Sequence, residues 1–266
     1  MELREQLHGM NPAIKFLVVV VSMLTLAWFF NPWTPALFFV GIVAIQLLLS
    51  RIKWKLWLLM MIPFSITAFG YLWTTVLFGA ETGGTIIWAW KSIVVTDEQL
   101  SRALSLAFRV LAFSSISLLF ALTTQPVKFV MSLMQQFRLS PKLAYGIMVG
   151  YQFLPIVQEE FVQIRHAHRL RGIGDEKWWW QRAYGMRRML IPLLAAAVRK
   201  AEQAAFAMEA RGFTGAPRTV FFKPVSVCRN DWVLATLFLL VLAASGIAGV
   251  ILTLTMPSRL NRGAYF

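Results

Sequence analysis

Residues 51–78 read RIKWK followed by LWLLMMIPFSITAFGYLWTTVLF, and this passage decides the fold. Arg51, Lys53 and Lys55 give way at Leu56 to an uncharged run that lasts through Phe78. A hydrocarbon core about 30 Å thick is crossed by roughly 17 to 25 helical residues, so the run predicts a membrane-spanning helix. The basic loop before it belongs in the cytoplasm, because Lys and Arg are retained on that side.

Working outward, residues 14–30, 34–50, 103–123 and 232–255 are four more apolar stretches of comparable length. Alternation then places the N-terminus inside, the uncharged turn Asn31-Pro32-Trp33-Thr34-Pro35 outside, residues 51–55 inside and the loop 79–102 outside. That loop mixes its charges, with Glu81, Lys91, Asp97 and Glu98. The chain returns inside at Gln125 and crosses a last time, which puts the C-terminus outside. Residues 1–11 carry Glu2, Arg4 and Glu5 with no small-residue cleavage site, so they are expected to stay on the protein.

Composition agrees with this frame. Of 266 residues, 58% are hydrophobic and 14% charged, against about 25% charged in soluble domains. The net charge of +14 needs a location, and residues 125–231 hold 16 of the 26 Lys and Arg residues. A basic cytoplasmic segment explains the charge; nucleic-acid binding does not, since no nucleic-acid motif is present. The expected division is therefore 1–124 for N-terminal transmembrane helices, 125–231 for a cytoplasmic helical region, and 232–266 for a final transmembrane helix and tail.

Within the basic region, residues 143–157 and 190–207 are apolar enough to resemble spans. The second contains Arg199, Lys200 and Glu202, each costing about 2.5 to 3.5 kcal/mol at a helix centre in the bilayer. Were 143–157 to cross alone, most of the later basic residues would lie outside. Both are expected to be parts of long helices at or below the cytoplasmic surface. The first opens at Ser140-Pro141, presents Leu143, Ile147, Leu154, Phe161 and Ile164 on one stripe, is expected to kink at Pro155, and stops at Gly172 and Gly174. The second is expected over roughly 186–211, with an alanine side that includes Ala201 and Ala205, and stops at Gly212. A short helix over 126–137 precedes both, and Trp178-Trp179-Trp180 between them reads as a headgroup anchor. Small residues permit close helix approach, so Gly146-x-x-x-Gly150 and the alanine side are candidate surfaces for another helix, in this chain or a partner.

No catalytic constellation emerges. There is no Gly-Lys dipeptide, hence no Walker A loop, and no Gly-x-Ser-x-Gly or His-Glu-x-x-His pattern. His166 and His168 point about 200° apart on a helix and do not share a metal easily. Cys228 is the only cysteine, which excludes an internal disulfide. Arg109, well inside a span, either faces a partner or snorkels or pairs within the bundle. No metal site and no cofactor are expected in this chain.

What stands out is a repeated helix ending. Arg169-Leu170-Arg171-Gly172-Ile173 closes the first long helix and Glu209-Ala210-Arg211-Gly212-Phe213 the second. Each sets an arginine on the last turn before a helix-stopping glycine, so a guanidinium fork projects past a rigid rod, suited to bidentate contact with carboxylates.

With these endings the chain resembles the transmembrane T component (EcfT or CbiQ-like) of energy-coupling factor importers, a family of ABC-type transporters. Its mark is a pair of x-Arg-x motifs, usually Ala-Arg-Gly, at the ends of two coupling helices. Here Ala210-Arg211-Gly212 matches fully, while Leu170-Arg171-Gly172 has leucine in the alanine position. The resemblance extends to Leu122-Thr123-Thr124-Gln125-Pro126 and to Phe153-Leu154-Pro155 followed by Glu159 and Glu160. It implies an all-α membrane protein of about five transmembrane helices with long cytoplasmic coupling helices, in the bacterial cytoplasmic membrane. It further implies a non-catalytic scaffold that docks two ATPase subunits through Arg171 and Arg211, one each. ATP and Mg would be bound by those partners. A membrane S component would bind the solute, a vitamin, vitamin precursor or transition-metal ion, and pack on surfaces such as Gly146, Gly150, Ala201 and Ala205. Rods of 25 to 30 residues reach roughly 40 Å, enough to carry motion from one partner to the other.

The rival classes lack their marks. A self-contained secondary transporter calls for polar or broken spans and internal repeats. A lipid-modifying enzyme calls for a catalytic cluster at the surface, and Glu159 and Glu160, adjacent on a helix, point apart. An ordinary ABC permease is expected to carry a different coupling motif.

Overall fold

The computed structural model describes residues 6–50, 53–78, 86–90, 93–172, 179–216, 221 and 224–255, with side chains of 6, 8, 78, 86–95, 97–98 and 179–188 outside the description. Helices α1 (Gln6–Gly9), α2 (Pro12–Trp28), α3 (Trp33–Leu49), α4 (Trp54–Phe78), α5 (Asp97–Thr123) and α9 (Arg229–Thr255) account for all five apolar stretches. Three of them, α4, α5 and α9, are long and apolar enough to cross a bilayer, while α2 and α3 are shorter apolar helices of 17 residues each. The chain is an all-α membrane protein. One departure from the expected loop is a small antiparallel ribbon, β1 (Ile86–Trp90) and β2 (Ile93–Thr96), which pairs Trp90 with Ile93 and Ile86 with Thr96. Its β-branched residues favour this extended pairing.

Helix starts follow local chemistry. Asn11 Oδ1 accepts from Ala13 N at 3.0 Å, with Pro12 in the first turn of α2. Asn31 Oδ1 accepts from Trp33 N at 3.1 Å at the head of α3, and Asp231 Oδ2 reaches back to Cys228 N at 2.8 Å at the head of α9. In a bilayer such caps matter more than in water, because an orphaned N–H there has no solvent to turn to.

The chain divides into two compact units, Met1–Phe129 with Val225–Phe266, and Val130–Pro224. The core of the first is built by α2, α3, α5 and α9 around Leu26, Phe38, Ile42, Ile116, Leu119 and Phe238. Leu24 and Trp28 of α2 face outward at 67% and 85% exposure, so the outer face of this helix is apolar as well. With lipid as the surroundings, packing rather than dehydration must select the inner face, and small residues set the closest approaches. Gly41 of α3 lies where an added Cβ would come within 2.5 Å of Val241 Cγ1, and a Cβ on Gly249 of α9 would strike Thr34. Helices α3 and α9 are therefore antiparallel and in close contact through two glycines.

Two polar knots tie this unit together. At the heads of α2 and α9, the Lys15 ammonium donates to Leu7 O at 2.6 Å and to Thr123 Oγ1 at 3.0 Å, while Asp231 Oδ1 accepts from Asn11 N at 3.1 Å. Lys15 and Asp231 are both buried. At the opposite ends, Arg109 of α5 donates to the carbonyl of Phe29, just past α2, and sits over the Phe30 ring at 5.4 Å. Asn31 Nδ2 donates to Gly249 O at 2.7 Å. Arg109 thus pairs within the bundle, completing the carbonyl end of a neighbouring helix.

In the second unit, α6 (Pro126–Gln136) leads in, and α7 (Pro141–Leu170) and α8 (Trp179–Ala210) form the long pair. Pro155 and Pro192 lie inside continuous helices. Helix α8 begins at Trp179, ahead of the expected 186, so Trp179 and Trp180 belong to its first turn. The anchoring role expected of their rings falls on side chains outside the described residues. With this earlier start Pro192 lies in the helix interior, where its ring interrupts a single hydrogen bond within a helix long enough to tolerate it.

Candidate docking ends of the long helices

Helix α7 ends with its backbone closing on itself: Arg171 N donates to His168 O at 3.1 Å and Gly172 N to Arg169 O at 2.9 Å. Gly172 then turns left-handed at φ 69°. Helix α8 ends in a complete Schellman closure, with Phe213 N on Met208 O at 3.0 Å and Gly212 N on Glu209 O at 2.8 Å around Gly212 at φ 76°. A Cβ added at either glycine would meet nothing within 4 Å, so backbone conformation alone asks for glycine at both stops. Leu170, Arg171, Ala210 and Arg211 are all exposed, Leu170 at 91%.

The two endings lie at opposite ends of an antiparallel pair. Glu160 of α7 forms an ion pair with Lys200 of α8. Tyr145 meets Phe213 edge to face with ring centroids 5.3 Å apart, and Gly215 (φ 71°) lies against the Lys142 side chain. Arg211 shares a pocket with Val149 of α7, so residues 149–171 separate the two guanidinium groups by roughly 33 Å at 1.5 Å per residue.

The small-residue positions are open. Gly146, Gly150, Ala201 and Ala205 are exposed, and a Cβ at Gly146 or Gly150 would find no neighbour within 4 Å. Around them stand Leu143, Ile147 and Leu154 on α7, and Ile191, Leu194 and Val198 on α8, each at least half exposed. With 100° per residue and an antiparallel register, these two stripes fall on the same broad side of the pair. Among the described residues, close packing of a helical glycine on a neighbouring helix is instead found at Gly41 and Gly249.

Several features went unread in the sequence. The antiparallel register rests on Glu160 with Lys200 and Tyr145 with Phe213, pairs some 40 or more positions apart that no local pattern joins. Lys15, within the first apolar stretch, is a buried tie. The signal for it was the cluster of capping types Asn11, Thr123 and Asp231 at the ends of three different apolar runs.

Comparison with known proteins places this architecture. The family model described as CbiQ, cobalt transport protein, matches residues 4–221. Among similar proteins is the energy-coupling factor transporter transmembrane protein EcfT of Streptococcus thermophilus, 27% identical over 241 residues that cover 84% of this chain and 87% of that one. The EcfT of Streptococcus equi is 27% identical over 266 residues, 96% of this chain and 94% of the relative. That of Lacticaseibacillus paracasei is 29% identical over 161 residues, covering 58% and 61%. With nearly the whole chain matched and its spans and two glycine-stopped helix ends in place, the protein belongs to the CbiQ/EcfT family of energy-coupling factor transporter transmembrane components.

Proposed function

We propose that this chain is the non-catalytic scaffold and lever of an ATP-driven importer of a micronutrient, a vitamin, vitamin precursor or transition-metal ion. Arg171 and Arg211, each flanked by its motif neighbours Leu170, Gly172, Ala210 and Gly212, dock on two cytoplasmic ATPase subunits, one each. Those subunits hold ATP and Mg. The observation that carries this reading is the placement of two exposed arginines, each immediately before a left-handed glycine stop, at opposite ends of one antiparallel pair. A separation of roughly 33 Å suits two separate partners better than one groove. Exposed guanidinium forks suit carboxylates, and continuous helices behind them carry displacement along the pair.

The apolar side of α7 and α8, with Gly146, Gly150, Ala201 and Ala205, is the surface proposed for the solute-binding membrane subunit. Its glycines admit the close approach of another helix. The N-terminus is placed in the cytoplasm and the C-terminus outside on the charge bias of the loops.

Double charge reversal, Arg171→Glu with Arg211→Glu, tests the docking. The ATPase subunits that co-purify with the native chain should be lost while membrane insertion persists. Their retention by the double variant refutes the assignment. Gly146→Leu with Gly150→Leu should deplete the solute-binding subunit and spare the ATPases.

A further inference from the structure

The two helix ends carry their arginines in unlike chemical settings. On α7, Arg165, His166, His168 and Arg169 precede Arg171, and no acidic residue lies between Glu160 and Gly172. Arg165, His166, Arg169 and Arg171 are exposed. Arg165 and Arg169 stand at i and i+4, where like charges repel, so within the described helix this cluster gains only when an anionic surface meets it. The acidic Asp175 and Glu176 that follow in sequence lie outside the described residues.

The end of α8 is different. Glu202 and Glu209 accompany the single Arg211, which leaves little net charge on its last three turns. Arg211 instead lines a pocket of about 260 Å³ whose other walls are Val149, Gln152, Phe153 and Ile156 of α7 and Ala204, Ala207 and Met208 of α8. Small alanines hold it open, and Met208 supplies an adaptable wall. A concave, mostly apolar site lined also by Gln152 and one cation matches the anchor pockets that concentrate binding energy in protein interfaces.

We propose that the two ends dock by different chemistry: the Arg171 end meets an acidic surface of one ATPase subunit through charge, whereas the Arg211 end takes an apolar side chain of the other into the Phe153–Met208 pocket, beside a carboxylate held by Arg211. The proposal rests on the docking reading above, and it commits the pocket to an ATPase side chain because Arg211, a docking residue, forms its rim.

The test uses the intact complex with the ATPases that co-purify from native membranes. Leu170→Cys or Ala210→Cys, each in a Cys228→Ser background, reports capture of an ATPase by a short bifunctional thiol-to-amine reagent. Capture from 170 should fall steeply as sodium chloride is raised, and Arg165→Gln with Arg169→Gln should flatten that response. Capture from 210 should respond weakly to salt and drop about tenfold when Ala204→Phe fills the pocket, the loss of about 1.4 kcal/mol. Ala207→Gln, at the exposed lip, gives the same drop without loading the helix interface and guards against a folding artefact. Equal salt responses at the two ends, or full capture from 210 with both pocket variants, overturns the inference. Should Arg171→Glu and Arg211→Glu leave both captures intact, the docking reading itself fails. Captures lost on charge reversal but indifferent to the pocket variants sink only the asymmetry.

Discussion

Tyr145 and Phe213 meet edge to face at 74°, which fastens the residue just beyond the second Arg-Gly to the early turns of the other long helix. Such a contact contributes about 0.5 to 1.5 kcal/mol beyond area burial and fixes where Arg211 sits. Phe213→Ala should therefore lower melting of the purified protein slightly and weaken ATPase co-purification more than Phe213→Tyr does. Equal binding by the alanine and tyrosine variants would remove the ring contact from the account.

The helix stops need glycine for conformation and not for space. Gly172→Ala and Gly212→Ala should each cost about 1 to 2 kcal/mol through the left-handed backbone. Asparagine at the same sites should cost less, as it visits that region more readily. Amide hydrogen exchange at 208–213 would report the loss of the Schellman bonds; unchanged protection in Gly212→Ala would contradict this.

The described glycines divide into packed and open ones. Gly249→Val drives a side chain into Thr34 and should destabilise the first unit by about 1 to 3 kcal/mol, the usual range for overpacking. Gly146→Val meets open space and should leave the melting temperature near that of the parent. A reversed order of the two melting temperatures would mean that the α3 to α9 contact is wrong.

Asp231 accepts from two backbone N–H groups, those of Asn11 and Cys228. Asp231→Ala orphans both, that of Asn11 in a buried place, and should cost about 2 kcal/mol, whereas Asp231→Asn keeps one accepting oxygen and should cost less. Thermal melting in detergent reads the difference. Similar losses for the two would indicate that the charge, shared with buried Lys15, outweighs the hydrogen bonds.

Much of this protein was legible from residue order, for definite physical reasons. Uncharged runs such as 56–78 name their solvent, because a charge in hydrocarbon is costly and a helix must satisfy its own backbone. Arg171-Gly172 and Arg211-Gly212 announce helix ends because glycine alone enters the left-handed region freely, and the high positive φ at both stops is the outcome. What stayed hidden depends on residues far apart in the chain. The antiparallel register of α7 and α8, hence the opposite placement of Arg171 and Arg211, comes from Glu160 with Lys200 and Tyr145 with Phe213. The pairing of Arg109 with the end of α2 and the tie of Lys15 to Thr123 are likewise tertiary. A helix in lipid is apolar on every side, so no periodic pattern tells which face turns inward, and only the packed bundle decides it.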